Sequence, residues 1–275
     1  MSAIIVVPTI RHESIKSFIS AWKDQFAPEL IFVVEDNPEP TFDIDAPNVR
    51  HFSWRDIETD LGKKAWIIPR RTDCVRSYGY YRAWLEKPDV IITLADDCYP
   101  LEEDFVTRHR AALGERQPDH AWVSTGRGVL PRGVPYFNHE RRWPVALNHG
   151  LWKGIPDFDA VTQLASERTR LEFEPIQQII PVGKYFPMCG MNVAFRPEAV
   201  PALYFLLMGR DYEYDRFGDI WCGVIFKKIC DHLGYAVASG SPIIAHQRAS
   251  NVWANLAKES PGLPVNERFG WLWTR

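Results

Sequence analysis

Paired cysteines are absent from the sequence. The five cysteines are odd in number and none belongs to a C-x-x-C pair: Cys74, Cys98, Cys189, Cys222 and Cys230. This spacing predicts neither a disulfide framework nor a structural zinc site. We interpret Cys189 as a packing residue rather than a nucleophile, because no basic neighbour in sequence indicates a lowered pKa.

Long hydrophobic runs and an excess of basic charge are also missing. No apolar stretch approaches the roughly 18 residues that span a bilayer, and the N-terminal Met-Ser-Ala-Ile-Ile-Val-Val-Pro lacks the charged and apolar regions of a signal peptide. The net charge of -3 provides no general basic field for nucleic acid. With 46% hydrophobic and 24% charged residues, we expect a globular cytoplasmic protein with no membrane span and no nucleic-acid partner.

Glycine-rich phosphate-binding motifs are missing as well. The sequence contains neither G-x-G-x-x-G nor G-x-x-x-x-G-K, which argues against dinucleotide and P-loop ATP binding. What is present is a strand–helix–strand pattern. Residues 3–7 and 30–34 predict buried strands, and a helical spacing of apolar residues lies between them: Ile15, Phe18, Ile19, Trp22 and Phe26. This unit predicts a parallel sheet in a Rossmann-like α/β fold.

Two adjacent carboxylates end a third predicted strand. Residues 90–95 are apolar or β-branched, and Asp96 and Asp97 follow directly. Ligands of open α/β sheets bind beyond the carboxyl ends of the strands. Two acids at that place can hold a divalent cation, which in turn holds a diphosphate. The alternative is a polar strand end with two solvated acids.

The rest of the chain shows less regular patterns. It predicts helices over 76–85 and over 220–233, the latter with Gly234 as its C-cap, and a strand over 236–244. Residues 127–159 are rich in Gly, Pro, Arg and aromatics, which favours irregular loops around a site. Because repeats and linkers are lacking, we expect one compact domain over 1–275, with a nucleotide-binding half in 1–100.

Six segments follow the order of one protein family. They are PTIR (8–11), ADDC (95–98), HGLWKGIPDFDAVTQL (149–164), FPMCGMNVAF (186–195), KKICDHLG (227–234) and HQRASN (246–251). Through these segments the chain resembles the reversibly glycosylated polypeptides, which are the UDP-arabinopyranose mutases known best from plants. The matching segments span nearly the whole sequence.

The resemblance implies a glycosyltransferase-A-like mixed sheet flanked by helices, with the sugar-binding and catalytic half in 101–275. It also implies a UDP-sugar substrate such as UDP-L-arabinose, a Mn²⁺ or Mg²⁺ ion and self-association into a homo-oligomer. In the family, an arginine in an R-G-Y-P-F segment carries the sugar reversibly. The similar segment here begins at Arg132, and Arg127 is a competing candidate. Without the family, Arg132 is a loop arginine suited to phosphate or carboxylate.

An arginine nucleophile needs a carboxylate to take its proton, because a guanidinium stays protonated in almost every setting. Asp157, Asp159 and Asp219 are candidates, and the sequence does not choose among them. For Asp219 the alternative is an acid favoured at a helix N-terminus by the helix dipole. The metal ligands that the resemblance implies are Asp97 and His246, a carboxylate and imidazole pair that suits Mn²⁺.

Binding residues are expected at the strand ends and in the matching segments. Those for the nucleotide are Pro8, Thr9, Arg11, Asp36, Asp56, Arg76 and Asp96, and those for the sugar are His149, Trp152 and Asn192. Asp36 is placed to accept a hydrogen bond from uracil N3–H. For Asp56 and Arg76 a structural ion pair is an open alternative, and for Trp152 a packed core position.

Two positions depart from the family pattern. Ala95 and Gly218 stand where the family has acids. Three functions therefore remain open. The leading hypothesis is a metal-dependent mutase that interconverts UDP-L-arabinopyranose and UDP-L-arabinofuranose through a glycosyl-arginine intermediate. The alternatives are a glycosyltransferase that uses a separate acceptor and a non-catalytic UDP-sugar-binding partner.

Overall fold

The protein forms a mixed β-sheet flanked by helices. Its computed structural model describes residues 2–114, 116–119, 132–134, 141–155, 157–165, 176–247 and 251–269. The strands are β1 (Ala3–Thr9), β2 (Leu30–Glu35), β3 (Val49–Phe52), β4 (Val90–Leu94), β5 (Cys98–Pro100), β6 (Arg116–Asp119), β7 (Arg141–Gly154), β8 (Gln178–Ile179), β9 (Asn192–Phe195) and β10 (Ala236–His246). The helices are α1 (His12–Trp22), α2 (Trp54–Leu61), α3 (Arg76–Leu85), α4 (Phe105–Gly114), α5 (Ala160–Ala165), α6 (Gly218–Leu233), α7 (Val252–Glu259) and α8 (Leu263–Phe269).

The strand order combines a parallel half with a mixed half, in which β7 and β10 are parallel and the other neighbours in the strand order are antiparallel. It reads β3-β2-β1-β4-β9-β7-β10-β5, with β6 added to β7 and β8 to β10. Strands β3, β2, β1 and β4 are parallel, whereas β9 pairs antiparallel with both β4 and β7. The predicted βαβ unit is confirmed. The whole arrangement is the α/β, glycosyltransferase-A-like mixed sheet that the resemblance implied.

Helices cover both faces of the sheet because its central strands are apolar on both sides. In β1, Ile4 and Val6 pack into the core under α3 and α6, while Ile5 and Val7 pack into the core under α1 and α4. All five residues of β4 are buried. Buried strands of this kind appear in sequence as continuous apolar runs rather than alternating ones.

The prediction of irregular loops over residues 127–159 is wrong where β7 lies. This 14-residue strand lies between β9 and β10 and is hydrogen bonded to both. Pairing with these neighbours stabilises a strand that the local sequence pattern does not indicate. Only a short apolar run, Val145 to Leu147, suggests a strand, and Asn148 and His149 follow it as buried polar residues. Residues 120–131 and 135–140 lie outside the described part of the chain.

The other predicted elements agree closely with the structure. Helix α3 has the predicted bounds, and α6 ends at Leu233, with Gly234 in the left-handed conformation at φ 78°. Strand β10 runs two residues beyond the prediction, to His246, and its pairing with β7 is irregular between Gly240 and Ile243. Within the described ranges, no helix has both the length and the apolar character needed to cross a bilayer.

Candidate functional site

The carboxyl ends of β1 and β4 hold the first group of predicted site residues. Because these strands are parallel neighbours, Thr9 and Arg11 lie beside Asp96. Thr9 Oγ1 donates a 2.6 Å hydrogen bond to Asp96 Oδ2, and the Arg11 guanidinium donates to both oxygens of that carboxylate. Asp96 is 2% exposed. This burial raises its pKa, although the bonds from Arg11 and Thr9 oppose the shift. Asp96 therefore orients Arg11 at the strand ends.

Asp97 and His246 are brought together by the pairing of β5 with the end of β10. His246 Nε2 lies 3.8 Å from Asp97 Oδ1, and His246 Nδ1 lies 2.7 Å from the carbonyl oxygen of Ile155. Since a carbonyl only accepts hydrogen bonds, Nδ1 carries a proton, and this bond holds the ring so that Nε2 faces Asp97.

This pair of side chains fits a divalent cation of the Mn²⁺ type, which accepts carboxylate and imidazole ligands. The two groups alone do not complete a coordination shell. Throughout the described ranges, no group of three His, Cys, Asp or Glu side chains is arranged to hold a metal ion. A cation here would need further oxygen ligands from a bound diphosphate or from water.

Asp219 lies in the first turn of α6, where two backbone N–H groups hold its carboxylate. Gly190 N donates to Asp219 Oδ2 at 2.9 Å, and Ile220 N donates to Oδ1 at 2.8 Å. Burial and the negative charges of Asp73 and Asp157 raise the pKa of Asp219 to about 7. A carboxyl group with this pKa can both take and return a proton near neutral pH.

Asp157 lies close to both Asp219 and the Asp97–His246 pair. Burial raises its pKa. The charge of His246, a hydrogen bond from the Cys189 thiol and the charge of Arg216 act in the opposite direction. The structure therefore brings three predicted residues from distant parts of the sequence, Asp157, Asp219 and His246, into one electrostatic cluster.

Arg216 belongs to this cluster and was not predicted from the sequence. Its backbone is left-handed, with φ 64°, and Arg216 Nε donates a 2.9 Å hydrogen bond to Glu259 Oε1. The other oxygen of the buried Glu259 accepts a 2.7 Å hydrogen bond from Ala160 N, at the start of α5. Glu259 thereby ties Arg216 to the segment that carries Asp157. The only signal in the sequence was the position of Arg216 three residues before Asp219.

Asp36 directly follows β2, and its carboxylate is hydrogen bonded within the protein. Its carboxylate accepts hydrogen bonds from Trp54 Nε1 at 2.7 Å and from the backbone N–H groups of Arg71 and Thr72 at 2.9 and 2.7 Å. Burial raises the pKa of Asp36, against these hydrogen bonds. Asp56 has a local role, because its Oδ2 accepts from Ser53 N in a capping box at the start of α2. Contact of either acid with a nucleotide stays a prediction.

Arg76 is a buried bridge within the protein. Its Nη1 donates to the carbonyl oxygen of Gly190 and to Thr93 Oγ1, the latter at 3.2 Å, and its Nη2 lies 3.6 Å from Asp73 Oδ2. It therefore links α3 to β4 and to the segment before β9. Pro8 lies inside β1, opposite Val34 of β2.

The three predicted sugar-binding residues lie on β7 and β9, and all are buried. His149 contacts Ser239 and Cys189, and burial lowers its pKa to about 4. Trp152 packs edge-on against Phe158, at 5.7 Å between ring centroids. Asn192 is fully buried. Its Nδ2 donates to the carbonyl oxygens of Leu151 and Pro242, and its Oδ1 lies 3.0 Å from His109 Nε2. Its amide is thus engaged by protein groups.

The predicted nucleophile lies in an exposed turn. Arg132 and its two following residues are described, whereas Arg127 falls outside the described part of the chain. The third carboxylate considered as a proton acceptor, Asp159, accepts hydrogen bonds from Thr162 N and Thr162 Oγ1 at the start of α5. It therefore has a local capping role.

A separate cleft of about 640 Å³ runs between α1 and residues 43–48. Its walls include Ile15, Ile19 and Ile44, with Lys16 and Asp45 among the charged residues that line it. None of the predicted site residues lines this cleft. The chemistry therefore concentrates at the strand ends rather than in this groove.

Comparison with known proteins agrees with this geometry. The family of reversibly glycosylated polypeptides matches residues 2–111 and 126–271. These ranges include the residues at the strand ends: Thr9, Arg11, Asp96, Asp97 and His246. The chain belongs to the reversibly glycosylated polypeptide family.

Individual relatives within this family are similar over almost the whole chain. The probable UDP-arabinopyranose mutase 1 of Pisum sativum is 37% identical over 94% of this chain and 73% of its own length. The probable UDP-arabinopyranose mutase 2 of Solanum tuberosum is 36% identical over the same shares. UDP-arabinopyranose mutase 1 of Arabidopsis thaliana is 35% identical over 94% of this chain and 75% of its own length.

Proposed function

We propose that this protein is a UDP-arabinopyranose mutase, which interconverts UDP-L-arabinopyranose and UDP-L-arabinofuranose. The observation that carries this proposal is the similarity to relatives with that name, 35% to 37% identical over 94% of the chain. The strand-end cluster of Arg11, Asp97 and His246 supports it, since these residues suit a metal-bound diphosphate.

In this proposal Asp97 and His246 hold Mn²⁺ or Mg²⁺, with Asp96 orienting Arg11 beside them. A bound divalent cation would neutralise the charge that grows on the leaving diphosphate. Thr9, Pro8, Asp36, Asp56 and Arg76 remain the predicted nucleotide contacts. His149, Trp152 and Asn192 remain the predicted sugar-binding residues. The amide of Asn192 is hydrogen bonded to the carbonyl oxygens of Leu151 and Pro242, so its role in sugar binding would be to hold these backbone segments in place rather than to contact the sugar.

In the proposed reaction Arg132 carries the sugar covalently. A guanidinium nitrogen of Arg132 bonds to the anomeric carbon, and the bond from that carbon to UDP breaks with its electron pair on the diphosphate. The proton lost from the guanidinium passes to a carboxylate. Asp219 suits this role because its pKa is about 7, and Asp157 is the second candidate. Ring opening and reclosure then precede the return of UDP.

The decisive experiment incubates the purified protein with UDP-L-arabinofuranose and Mn²⁺ and separates the nucleotide sugars by chromatography. We expect the pyranose form to appear. Arg132→Ala and Asp97→Ala should each reduce its rate on the order of 10³-fold or more, whereas Arg268→Ala, an exposed arginine of α8, should leave it unchanged. Removal of Mn²⁺ with a chelator should stop the reaction reversibly.

Other outcomes would point to the alternative functions. Acceptor-dependent release of UDP without a furanose–pyranose exchange would indicate a glycosyltransferase. Binding of UDP-sugar with no turnover would indicate a non-catalytic partner. A cytoplasmic location and a homo-oligomer stay predictions.

A further inference from the structure

Arg76 is a buried arginine at the start of α3, and 4% of its surface is exposed. Its Nη1 donates to the carbonyl oxygen of Gly190 and, at 3.2 Å, to Thr93 Oγ1, while its Nε donates to the carbonyl oxygen of Asp73 at 3.3 Å. The guanidinium lies over the Phe205 ring, 5.4 Å from its centroid. A buried charge is costly unless it is hydrogen bonded, and these contacts from separate segments hold the guanidinium in one place.

Gly190 joins Arg76 to the carboxylate of Asp219. Its carbonyl oxygen accepts the hydrogen bond from Arg76, and its N–H donates to Asp219 Oδ2 at 2.9 Å. A Cβ at Gly190 would lie 2.9 Å from Arg76 Nη1 and 3.0 Å from a ring atom of Phe205. This close approach requires a glycine, and a shift of the guanidinium would therefore move the N–H group that Asp219 accepts.

The other oxygen of Asp219 has a local partner. Ile220 N donates to Asp219 Oδ1 at 2.8 Å, within the first turn of α6. That bond does not depend on Arg76, whereas the bond from Gly190 does. Because a hydrogen bond to the ionised form of a carboxyl group lowers its pKa, the Gly190 N–H is the contact through which Arg76 acts on Asp219.

Charges from several segments also act on Asp219. Asp73, which precedes α3, and Asp157, which follows β7, raise its pKa, whereas the positive charge of Arg76 lowers it. Arg216, three residues earlier, is a second positive neighbour. The neighbouring thiols have raised pKa values and carry no charge near neutral pH: Cys74, Cys189 and Cys222. Arg76 therefore opposes the two carboxylates that surround Asp219.

We propose that Arg76 is a positioning residue, which holds Gly190 so that its N–H fixes the Asp219 carboxylate as the proton acceptor of the reaction. The inference rests on the proposed mutase function, in which Asp219 takes the proton lost by Arg132. It gives Arg76 a role inside the protein that needs no contact with the nucleotide. A merely structural arginine would affect stability alone, whereas this role also determines the pH at which the reaction runs.

The pH dependence of kcat separates the two roles. In Arg76→Met, loss of the bridge and of its charge should raise the low-pH midpoint of kcat by about one pH unit. The value at pH 7 should fall about fivefold and return to within about twofold of the wild type at pH 9. Arg76→Lys keeps the charge but not the forked contact with Gly190 and Thr93, so its midpoint should lie between the two. Arg82→Met, in the last turn of the same helix and paired with Asp60, should keep the wild-type midpoint.

The amide of Gly190 reports on the same contact without catalysis. The sequence contains two Cys–Gly pairs, so labelling with carbonyl-¹³C cysteine and ¹⁵N glycine selects the NMR signals of the Gly190 and Gly223 amides. Cys222→Ala removes the second signal and thereby identifies that of Gly190. An N–H that donates to a carboxylate changes its chemical shift when the carboxylate is protonated, and this change gives the pKa of the acceptor.

In the wild type we expect the Gly190 signal to titrate with a midpoint near pH 7, and Asp219→Asn should abolish that titration. Arg76→Met should raise the midpoint by about one pH unit, and Arg76→Lys, which serves alone if the methionine variant does not fold, by less. An unchanged midpoint in the folded Arg76 variants would overturn the proposal, as would an equal loss of kcat at every pH. A wild-type protein that shows this titration but does not interconvert the two sugars would instead contradict the mutase function.

Discussion

At the scale of single residues, the two carboxylates of the cluster differ in what surrounds them. Asp157 is close to His246, Arg216 and the Cys189 thiol, all of which favour its ionised form. Asp219 faces Asp73 and Asp157, whose charges disfavour ionisation, and its pKa rises to about 7. Neighbouring acids with different surroundings are typical of sites where one group donates a proton that another accepts.

The raised pKa of Asp219 predicts how stability depends on pH. The unfolded chain has an aspartate pKa of about 3.9, so between that value and about 7 the folded protein binds an extra proton. The stabilising effect is complete below pH 4 and is lost as the pH rises through 7. We therefore expect the wild-type Tm to fall between pH 5 and pH 8, and Asp219→Asn to flatten that slope. The measurement is calorimetry across this range.

The exposed Asp24 provides the control for this experiment. Asp24→Asn should keep the wild-type slope of Tm against pH. An Asp219→Asn variant with that same slope would mean that the Asp219 carboxyl does not hold the extra proton.

At the scale of elements, close packing of α3 on the sheet positions part of the site. Gly79 lies on the face of α3 against β1 and β2, where an added Cβ would collide with Val6 Cγ1 and come within 2.9 Å of Val34 Cγ2. Strand β1 ends in Thr9 beside Asp96, and α3 begins with Arg76. A shift of α3 relative to β1 would thus displace Arg76 from Gly190.

Two glycine substitutions test this packing. Gly79→Ala should destabilise the fold by about 1–3 kcal/mol through overpacking, and it should also lower activity. Gly114→Ala, at the end of α4, meets no atom within 4 Å and should be neutral or slightly stabilising. Urea denaturation measures both free energies of unfolding. A neutral Gly79→Ala would show that α3 can move away from β1 at little cost.

At the scale of the whole molecule, the order of the sheet assembles the site from both ends of the chain. Parallel pairing of β1 with β4 brings Thr9 to Asp96, and antiparallel pairing of β5 with β10 brings Asp97 to His246. Binding a nucleotide diphosphate and a metal there would link segments more than 200 residues apart. Such a ligand stabilises the folded state by mass action.

This linkage predicts a thermal shift. UDP with Mn²⁺ at about 100 times their dissociation constant adds about 2.7 kcal/mol, which corresponds to a Tm increase of about 5–10 °C for a chain of this size. The Asp97→Ala variant should lose most of the Mn²⁺-dependent increase in Tm. The Glu267→Gln variant, changed at an exposed position of α8, should keep this increase. An equal shift in Asp97→Ala would place the metal elsewhere.

Local sequence patterns were enough to predict the parallel half of the sheet and the acidic residues at the end of β4. The run before Asp96 is buried on both faces, and the helical spacing of α1 is regular, so each element is specified by its own residues. The resemblance supplied His246, Asp157 and Asp219, which no local pattern distinguishes from structural residues. In the structure the charges of Asp219 and His246 act on or with that of Asp157, which places the three in one electrostatic cluster, while their catalytic roles stay predictions.

The sequence by itself thus determined the parallel strands, their flanking helices and the chemistry available at their carboxyl ends, because burial and periodicity act over short stretches of chain. Only the tertiary structure decided that residues 141–154 form a central strand and that Glu259 ties Arg216 to the Asp157 segment. Both features depend on residues that are distant in the sequence, and these residues come into contact only when the strands have paired in the folded sheet.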